Sequence, residues 1–541
     1  MKFLQSATIR RLQRLIGLPI VSSPLRSVLF ALVALLAAVV LPLHAPRVEA
    51  QTGRAQLLLV IDGLRPDYVT PDVMPHLHAL GQRGMVFTSH HAIYPTVTRV
   101  NASSLATGTY PERHGLMGNT VYSEKTFPGK GIDTSDHEQL EAMEKAEGQL
   151  LTAPTLNEML ADASKTMLVI SAGSSGSSKL LSYPLKTGAV INPDLIRPER
   201  LQPTVLKAAG PGPAEAVPNN ARNKWIVDIY LSLGLGDLKS DVTAIWFGDP
   251  DSTAHAKGVG TAETRQALGF VDREIGRLED TLGQRGLLDR TNIVVVSDHG
   301  FSTHTAELRL AALVAPFSRP LPDGTPDIVV TEGAVNFRGA KDPARVQAVV
   351  AALQQRPEVG AIFTRPDGSG STQGVVPGTL SFNVARWNHP RAAEILVSGN
   401  WTRNTNSAGF PGTTTQGGVA GHGTSSPFDI HSTLMAAGPD IRERATSAVP
   451  TSNVDVAPTL LRLLGMPVPP TMTGRVIEEA LRSERGAATA VGTSGASATA
   501  PAGRADVSAR SSDGSYRIDA HVSVVGESRY LDETEVVRPV R

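Results

Sequence analysis

Cysteine is absent from the 541-residue chain. That excludes disulfides, thiolate metal sites, a cysteine nucleophile and a lipidated cysteine, so the fold rests on its core and on any metal it binds. An excess of charge of either sign is also missing, since Lys+Arg and Asp+Glu number 51 each. Without a basic bias there is no electrostatic case for binding a nucleic-acid duplex. There is no G-x-S-x-G elbow for a serine hydrolase and no G-x-x-x-x-G-K-[ST] phosphate loop. The apolar run at residues 28–41 is short of the roughly twenty residues that span a membrane.

What stands at the N-terminus is a targeting pattern. Lys2, Arg10, Arg11, Arg14 and Arg26 precede the apolar run, and Val48-Glu49-Ala50 follows it with the small-x-small form of a cleavage site. Residues 1–50 therefore read as a signal peptide, which makes the mature protein exported (periplasmic or secreted) with no permanent membrane span. An uncleaved anchor is the alternative. Arg10-Arg11 matches twin-arginine export only as a dipeptide.

From residue 56 strands and helices alternate. Residues 56–61 (QLLLVI) are an unbroken apolar run ending at Asp62-Gly63, the pattern of a strand buried on both faces. Residues 167–171, 242–247 and 292–297 read as further strands, and 74–83, 155–163, 221–233 and 261–282 as helices. The alternation predicts a parallel sheet covered on both sides. Between 305 and 412 shorter strand-like pieces (327–330, 359–363, 393–397) surround one helix (343–355), an inserted α+β subdomain. The main pattern returns with a strand at 433–437 and a helix at 454–464 capped by Asn453 or Asp455. The expected organisation is an α/β core in two parts, 51–304 and 413–482, with the insert at 305–412. An Ala/Gly/Ser-rich linker follows at 483–513 and a C-terminal β-hairpin at 514–541.

Ligands of an open α/β sheet bind beyond the carboxyl ends of its strands. Three strands here end in acidic residues: Asp62 after LLLVI, Asp251 after AIWFGDP, and Asp298, followed by His299, after IVVVS. His255 follows Asp251 by four residues, close enough for one short turn to present both to one ion. His422 stands in a Gly-rich loop, GGVAGHGTSS. Carboxylates and imidazoles without thiolates suit Zn²⁺, Mn²⁺ or Fe, with zinc favoured when histidine is well represented. Six such ligands exceed the needs of one catalytic zinc and fit a pair of ions roughly 4 Å apart, as in phosphoryl transfer. The bland alternative is six unrelated turn and surface residues. A second stretch, residues 94–119, places Thr96 and Thr98 before a helix at 101–107 that closes at Gly108. Either threonine could be a cap or a hydroxyl beside a phosphate site.

The ordered set Asp62 in VIDGLRPD, Thr98 in PTVTRVN, Asn119 in TGTYPERHGLMGN, Asp251 and His255 in PDSTAH, Asp298-His299 in VVVSDHGF and His422 in GHG resembles one family. It is the nucleotide pyrophosphatase/phosphodiesterase (type I phosphodiesterase) family of the alkaline phosphatase superfamily. The resemblance covers residues 56–484, including the closing segment SNVDVAPTLLRLLGMPVPPTMTGR. It implies an alkaline-phosphatase-like, mostly parallel sheet with helices on both faces. It also implies two zinc ions and hydrolysis of phosphoric esters through a phospho-threonine on Thr98. By the same resemblance Asp62, Asp298, His299 and Thr98 hold one zinc, while Asp251, His255 and His422 hold the other. Asn119 donates to a non-bridging phosphate oxygen. The substrate implied is a small phosphate ester, a nucleotide among the options.

The chain departs from the family's pattern in two places. Relatives that act on nucleotides carry an aromatic residue after the nucleophile, where this chain has Arg99; the opposite wall of that slot would be Trp246. Arg99, Asn119 and Trp246 are thus the expected substrate contacts. Some monoesterases of the superfamily carry a Lys-x-Arg pair after the strand at 167–171, where only Lys179 is found. That favours diesters over monoesters, an alkaline-phosphatase-type phosphomonoesterase being the alternative. Thr109 occupies the place of a sulfatase's oxidisable residue in TYPER, but is a threonine. A phosphoryl transferase and a non-catalytic metal-binding domain are the rivals of another class. His76, His78, His90, His91, His304 and His431 read as surface or core, and His114 as structural.

Overall fold

The central strand of the fold is β1 (Ala55–Ile61), and every residue from Gln56 to Ile61 is buried. The computed structural model describes residues 54–339, 342–482 and 502–539; the signal-peptide reading and most of the expected linker lie outside them. Around β1 are assembled β2 (Met85–Phe87), β3 (Met167–Ser171), β4 (Ala189–Asn192), β5 (Leu195–Arg197), β6 (Val242–Phe247), β7 (Thr291–Val296), β8 (Leu434–Ala437) and β9 (Ala445–Ser447). Their order is β9-β2-β8-β7-β1-β6-β3-β4-β5. The run from β7 to β4 is parallel. β8 runs antiparallel to both β7 and β2, and β5 to β4. This is the mostly parallel α/β sheet expected.

Both faces of the sheet are covered, which is why its strands read as continuous apolar runs. Leu57, Leu59, Ile61, Ile245, Phe247, Ile293 and Val295 face one core, and Leu58, Val60, Ala244, Trp246, Val294 and Val296 face the other. The helices that matter for the site are α1 (Thr98–Thr107), α2 (Asp251–Lys257) and α3 (Ala262–Gln284). α1 closes at Gly108, whose φ of 62° is left-handed, a conformation glycine adopts without steric cost. The Thr261 side chain caps α3 by accepting from Thr264 N.

Two boundaries differ from expectation. The helix expected at 221–233 is α-helical only over Asn220–Ile229 and widens to a π-turn at Tyr230–Gly234. The helix expected at 454–464 begins with a 3-10 turn, Asn453–Asp455, in which Asp455 Oδ2 accepts from Ser452 N at 2.9 Å.

The region of the expected insert holds a five-stranded sheet with the helix Pro343–Gln354. A separate four-stranded sheet joins Trp401–Thr405, Pro411–Thr415, Ser302–Ala306 and Ala420–Gly421. It straddles both expected insert boundaries, 305 and 412. Within the expected linker, Ala502–Arg504 and Val507–Arg510 are strands rather than flexible chain, because both pair with Arg517–Val525. With Ser528–Val537 they make a four-stranded C-terminal sheet instead of a lone hairpin. That sheet docks on the core: Tyr530 OH donates to Asp455 Oδ2 at 2.9 Å, and Trp401 Nε1 donates to Thr534 O at 2.6 Å. Among the described residues no helix is long and apolar enough to cross a membrane.

Candidate active site

Three neighbouring strands, β7, β1 and β6, end beside one another and each delivers an aspartate. Asp62 follows β1, Asp298 with His299 follows β7, and Asp251 opens α2 just past β6. One turn along α2, His255 Nε2 lies 3.3 Å from Asp251 Oδ1. His422 comes from the loop after Ala420–Gly421, its Nε2 also 3.3 Å from Asp251 Oδ1. His299 Nε2 lies 3.2 Å from Asp298 Oδ2 and 3.5 Å from Asp62 Oδ1. The rings of His299 and His422 stack at 3.5 Å. The expected ligands are thus gathered in one place.

The backbone decides which nitrogen each histidine presents. Nδ1 of His299 faces Gly300 O at 3.0 Å, Nδ1 of His255 faces Ala420 O at 3.0 Å, and Nδ1 of His422 faces Thr96 O at 2.8 Å. A carbonyl oxygen only accepts, so each Nδ1 carries the proton and each Nε2 offers a lone pair. Asp62 Oδ1, Asp251 Oδ1 and Asp298 Oδ2 are buried and accept no hydrogen bond. Lone pairs of carboxylate and imidazole therefore face one another at short range, an arrangement that calls for cations between them. Within this site two triples of ligand atoms lie close enough to share an ion: Asp251, His255 and His422, and Asp62, Asp251 and His299. Asp251 belongs to both.

The protein alone holds this charge poorly. Burial, then Asp298 and Asp251, keep the Asp62 carboxyl well above the usual range. Burial and Asp251 push Asp298 up to about 7. Burial and then His422 hold the His299 imidazole well below its ordinary value. Burial also works against charge on Asp251, and without a metal it is protonation of His255 and His422 that outweighs it and brings its carboxyl well below the usual range. A divalent ion reverses the first two effects and favours the neutral histidines as ligands.

Thr98 is the first residue of α1, and its Oγ1 lies 3.2 Å from His299 Nε2. It caps nothing: the N-cap position is Val97, with no side-chain bond. The hydroxyl stands instead at the positive end of a ten-residue helix. Asn119 reaches the same end, its Oδ1 accepting from Arg99 N at 3.0 Å. A backbone N–H can only donate, so the Asn119 oxygen is assigned and its NH₂ group is left to donate. Thr96 Oγ1 donates to Thr424 O at 2.8 Å and accepts from Gly423 N at 3.0 Å, tying down the loop that carries His422.

Trp246 is a correction. It is fully buried, and its Nε1 donates to Asp62 Oδ2 at 2.9 Å. It orients the Asp62 carboxylate and, with no exposed surface, has no face to offer a base. The reason lies in the strand's alternation, which points residue 246 into the core between Ala244 and the site. Arg99 is half-buried with its Nε unpartnered. Two contributors went unread in the sequence. Asn453 Nδ2 donates to Asp298 O at 2.9 Å, and Glu332 Oε2 accepts from Asn119 N at 2.7 Å. Nothing in their local sequence marks them, since both act across long separations.

Residues 56–408 match the family model of type I phosphodiesterase / nucleotide pyrophosphatase. The chain belongs to this family. The match holds Asp62, Thr98, Asn119, Asp251, His255, Asp298 and His299, and geometry adds His422 from beyond it. Venom phosphodiesterase 2 of Crotalus adamanteus is 25% identical over 248 residues, 45% of this chain and 26% of the relative. Ectonucleotide pyrophosphatase/phosphodiesterase family member 7 of Homo sapiens is 25% identical over 273 residues, 50% of this chain and 52% of the relative. Family member 3 of Mus musculus is 26% identical over 246 residues, 45% of this chain and 24% of the relative. The chain thus spans between about a quarter and about half the length of these relatives.

Proposed function

We propose that this chain is an exported, metal-dependent hydrolase of phosphoric diesters that uses Thr98 as its nucleophile. The observation that carries the reading is the convergence beside Thr98 Oγ1 of three buried, unpartnered carboxylate oxygens and three imidazole Nε2 atoms. Two zinc ions, one held by Asp62, Asp298, His299 and Thr98 and the other by Asp251, His255 and His422, would neutralise this charge, lower the hydroxyl's pKa and polarise the phosphoryl group. Thr98 Oγ1 then forms the new bond to phosphorus while the leaving alcohol departs with the electron pair of its old bond. Water cleaves the resulting Thr98 ester and restores the hydroxyl. The free NH₂ of Asn119 donates to a non-bridging oxygen as charge builds on it.

A cavity of about 290 Å³ beside His422 gives the ester's substituent a place, walled by Tyr94, Val97, Met117, Leu308 and Leu396. Its apolar wall suits an organic substituent on phosphorus better than a bare oxygen. With Trp246 buried, the half-clamp expected for a nucleobase does not favour nucleotides over other diesters. The names of the relatives, venom phosphodiesterase and ectonucleotide pyrophosphatase/phosphodiesterase, agree with the reaction class. Export rests on the targeting pattern of residues 1–50. Comparative kinetics tests the substrate class. The zinc-loaded enzyme is expected to give a higher kcat/KM on bis(p-nitrophenyl) phosphate than on p-nitrophenyl phosphate, and the reverse order refutes the diesterase reading.

A further inference from the structure

Glu332 sits in the turn between the strands Ile328–Thr331 and Ala334–Phe337, more than two hundred residues from Asn119. Its φ is 48°, a left-handed conformation that a non-glycine residue keeps only where its surroundings hold it, often at functional sites. The bonds of its carboxylate supply the hold. Oε2 accepts from Asn119 N at 2.7 Å and from Thr120 N at 3.4 Å. Asn119 Oδ1 accepts in turn from Arg99 N at 3.0 Å, next to Thr98. A short relay thus runs from the turn to the start of α1. The Glu332 side chain is exposed and lines the same cavity as His422. Burial of the Glu332 carboxyl raises it above its ordinary value, and Arg99, the Asn119 N–H and His422 work the other way, favouring its charged form.

We infer that Glu332 is a specificity-determining and positioning residue of this site: it anchors Asn119, and its charge selects phosphodiesters over phosphomonoesters. The inference rests on the proposed phosphoric-ester chemistry. At neutral pH a diester brings one negative charge to the site and a monoester close to two. A carboxylate in the same cavity repels the second more strongly, and a partly enclosed cavity screens that repulsion less than open water does. Arg99 offsets part of the repulsion, so the two side chains together set how much anionic charge is tolerated. Anchoring and charge are separable chemically. Glutamine keeps an acceptor oxygen for Asn119 N without the charge, and alanine removes both.

The test measures kcat and KM on p-nitrophenyl phosphate and bis(p-nitrophenyl) phosphate for the zinc-loaded wild type, Glu332→Gln and Glu332→Ala. In Glu332→Gln the monoester-to-diester ratio of kcat/KM is expected to rise about tenfold. In Glu332→Ala the diester kcat is expected to fall about tenfold with KM little changed, and the glutamine variant to recover most of it. A ratio unmoved in Glu332→Gln overturns the charge role, and a wild-type kcat in Glu332→Ala overturns the anchoring role. Should the alanine variant fail to fold, the glutamine ratio still decides the charge role, and Glu332→Asp, which keeps the charge but shortens the reach to Asn119 N, decides the anchoring role: a wild-type diester kcat overturns it. The diesterase reading fails separately, if the wild type itself prefers the monoester, because the inference is read from the change in ratio and not from its absolute value.

Discussion

At the scale of single residues, Thr98 and Trp246 divide the labour of the site in a way that variants can separate. Thr98 Oγ1 is the only group proposed to bond to phosphorus, whereas six carboxylate and imidazole ligands remain when it is removed. Thr98→Ala is therefore expected to retain bound zinc, measured by metal analysis after dialysis, while turnover disappears; unchanged activity would sink the assigned mechanism. Trp246 acts one step further out. Its indole N–H fixes Asp62 Oδ2, leaving Oδ1 free toward the site. Trp246→Phe keeps most of the buried ring but removes the donor. Loss of such an outer hydrogen bond lowers metal affinity by about 10–100-fold, an effect that competition with a chelator would show and that a base-stacking role would not predict. The candidate metal ligands were legible in the sequence because each ends a strand or stands in a named motif. The role of Trp246 was not, because AIWF shows only that the strand is apolar, not which face residue 246 takes.

At the scale of elements, the site is built where three parallel strands stop and α1 starts. The strands were readable from their apolar runs, and α3 as the helix expected at 261–282, whose first residue, Thr261, is its cap. The loop at 420–424 was not readable as a structure. Its shape is imposed from outside by Thr96, whose hydroxyl donates to Thr424 O and accepts from Gly423 N and whose carbonyl accepts from His422 Nδ1–H. Thr96, 326 residues away in sequence from His422, looked like a cap or a hydroxyl beside a phosphate site and instead holds the loop that carries this candidate ligand. Thr96→Val keeps the volume and removes the hydroxyl. It is expected to weaken one of two bound zinc equivalents about tenfold or more while the other stays tight, a difference that stepwise chelator titration resolves. Equal loss of both equivalents would argue against separate anchoring of His422. Glu332 belongs to the same class: a turn in a neighbouring sheet reaches Asn119 through a contact no local pattern could announce.

At the scale of the whole molecule, the C-terminal sheet docks on the core through buried polar contacts, and buried histidines of the core tie stability to pH. The sequence suggested a flexible linker at 483–513, yet 507–510 alternates side chains well enough to join a sheet, with Ala509 buried. Buried histidines set the acid limit. Burial lowers the His90 and His114 imidazoles to about 3, whereas the unfolded chain titrates near 6.5. In the window between, the unfolded state binds more protons, so stability falls as pH drops below about 6.5. Each of the two costs about 1.4 kcal/mol at pH 5.5. The melting temperature is expected to decline steadily from pH 7 to 5.5, and less steeply in His114→Gln; equal slopes would show that His114 titrates normally in the fold.

The central claim, attack by Thr98 followed by water, is tested most directly by the stereochemical course at phosphorus. With a chiral phosphorothioate diester hydrolysed in water labelled with a heavy oxygen isotope, which keeps phosphorus stereogenic in the product, two successive in-line displacements predict net retention of configuration. Net inversion would mean that water attacks directly, and would contradict the role assigned to Thr98.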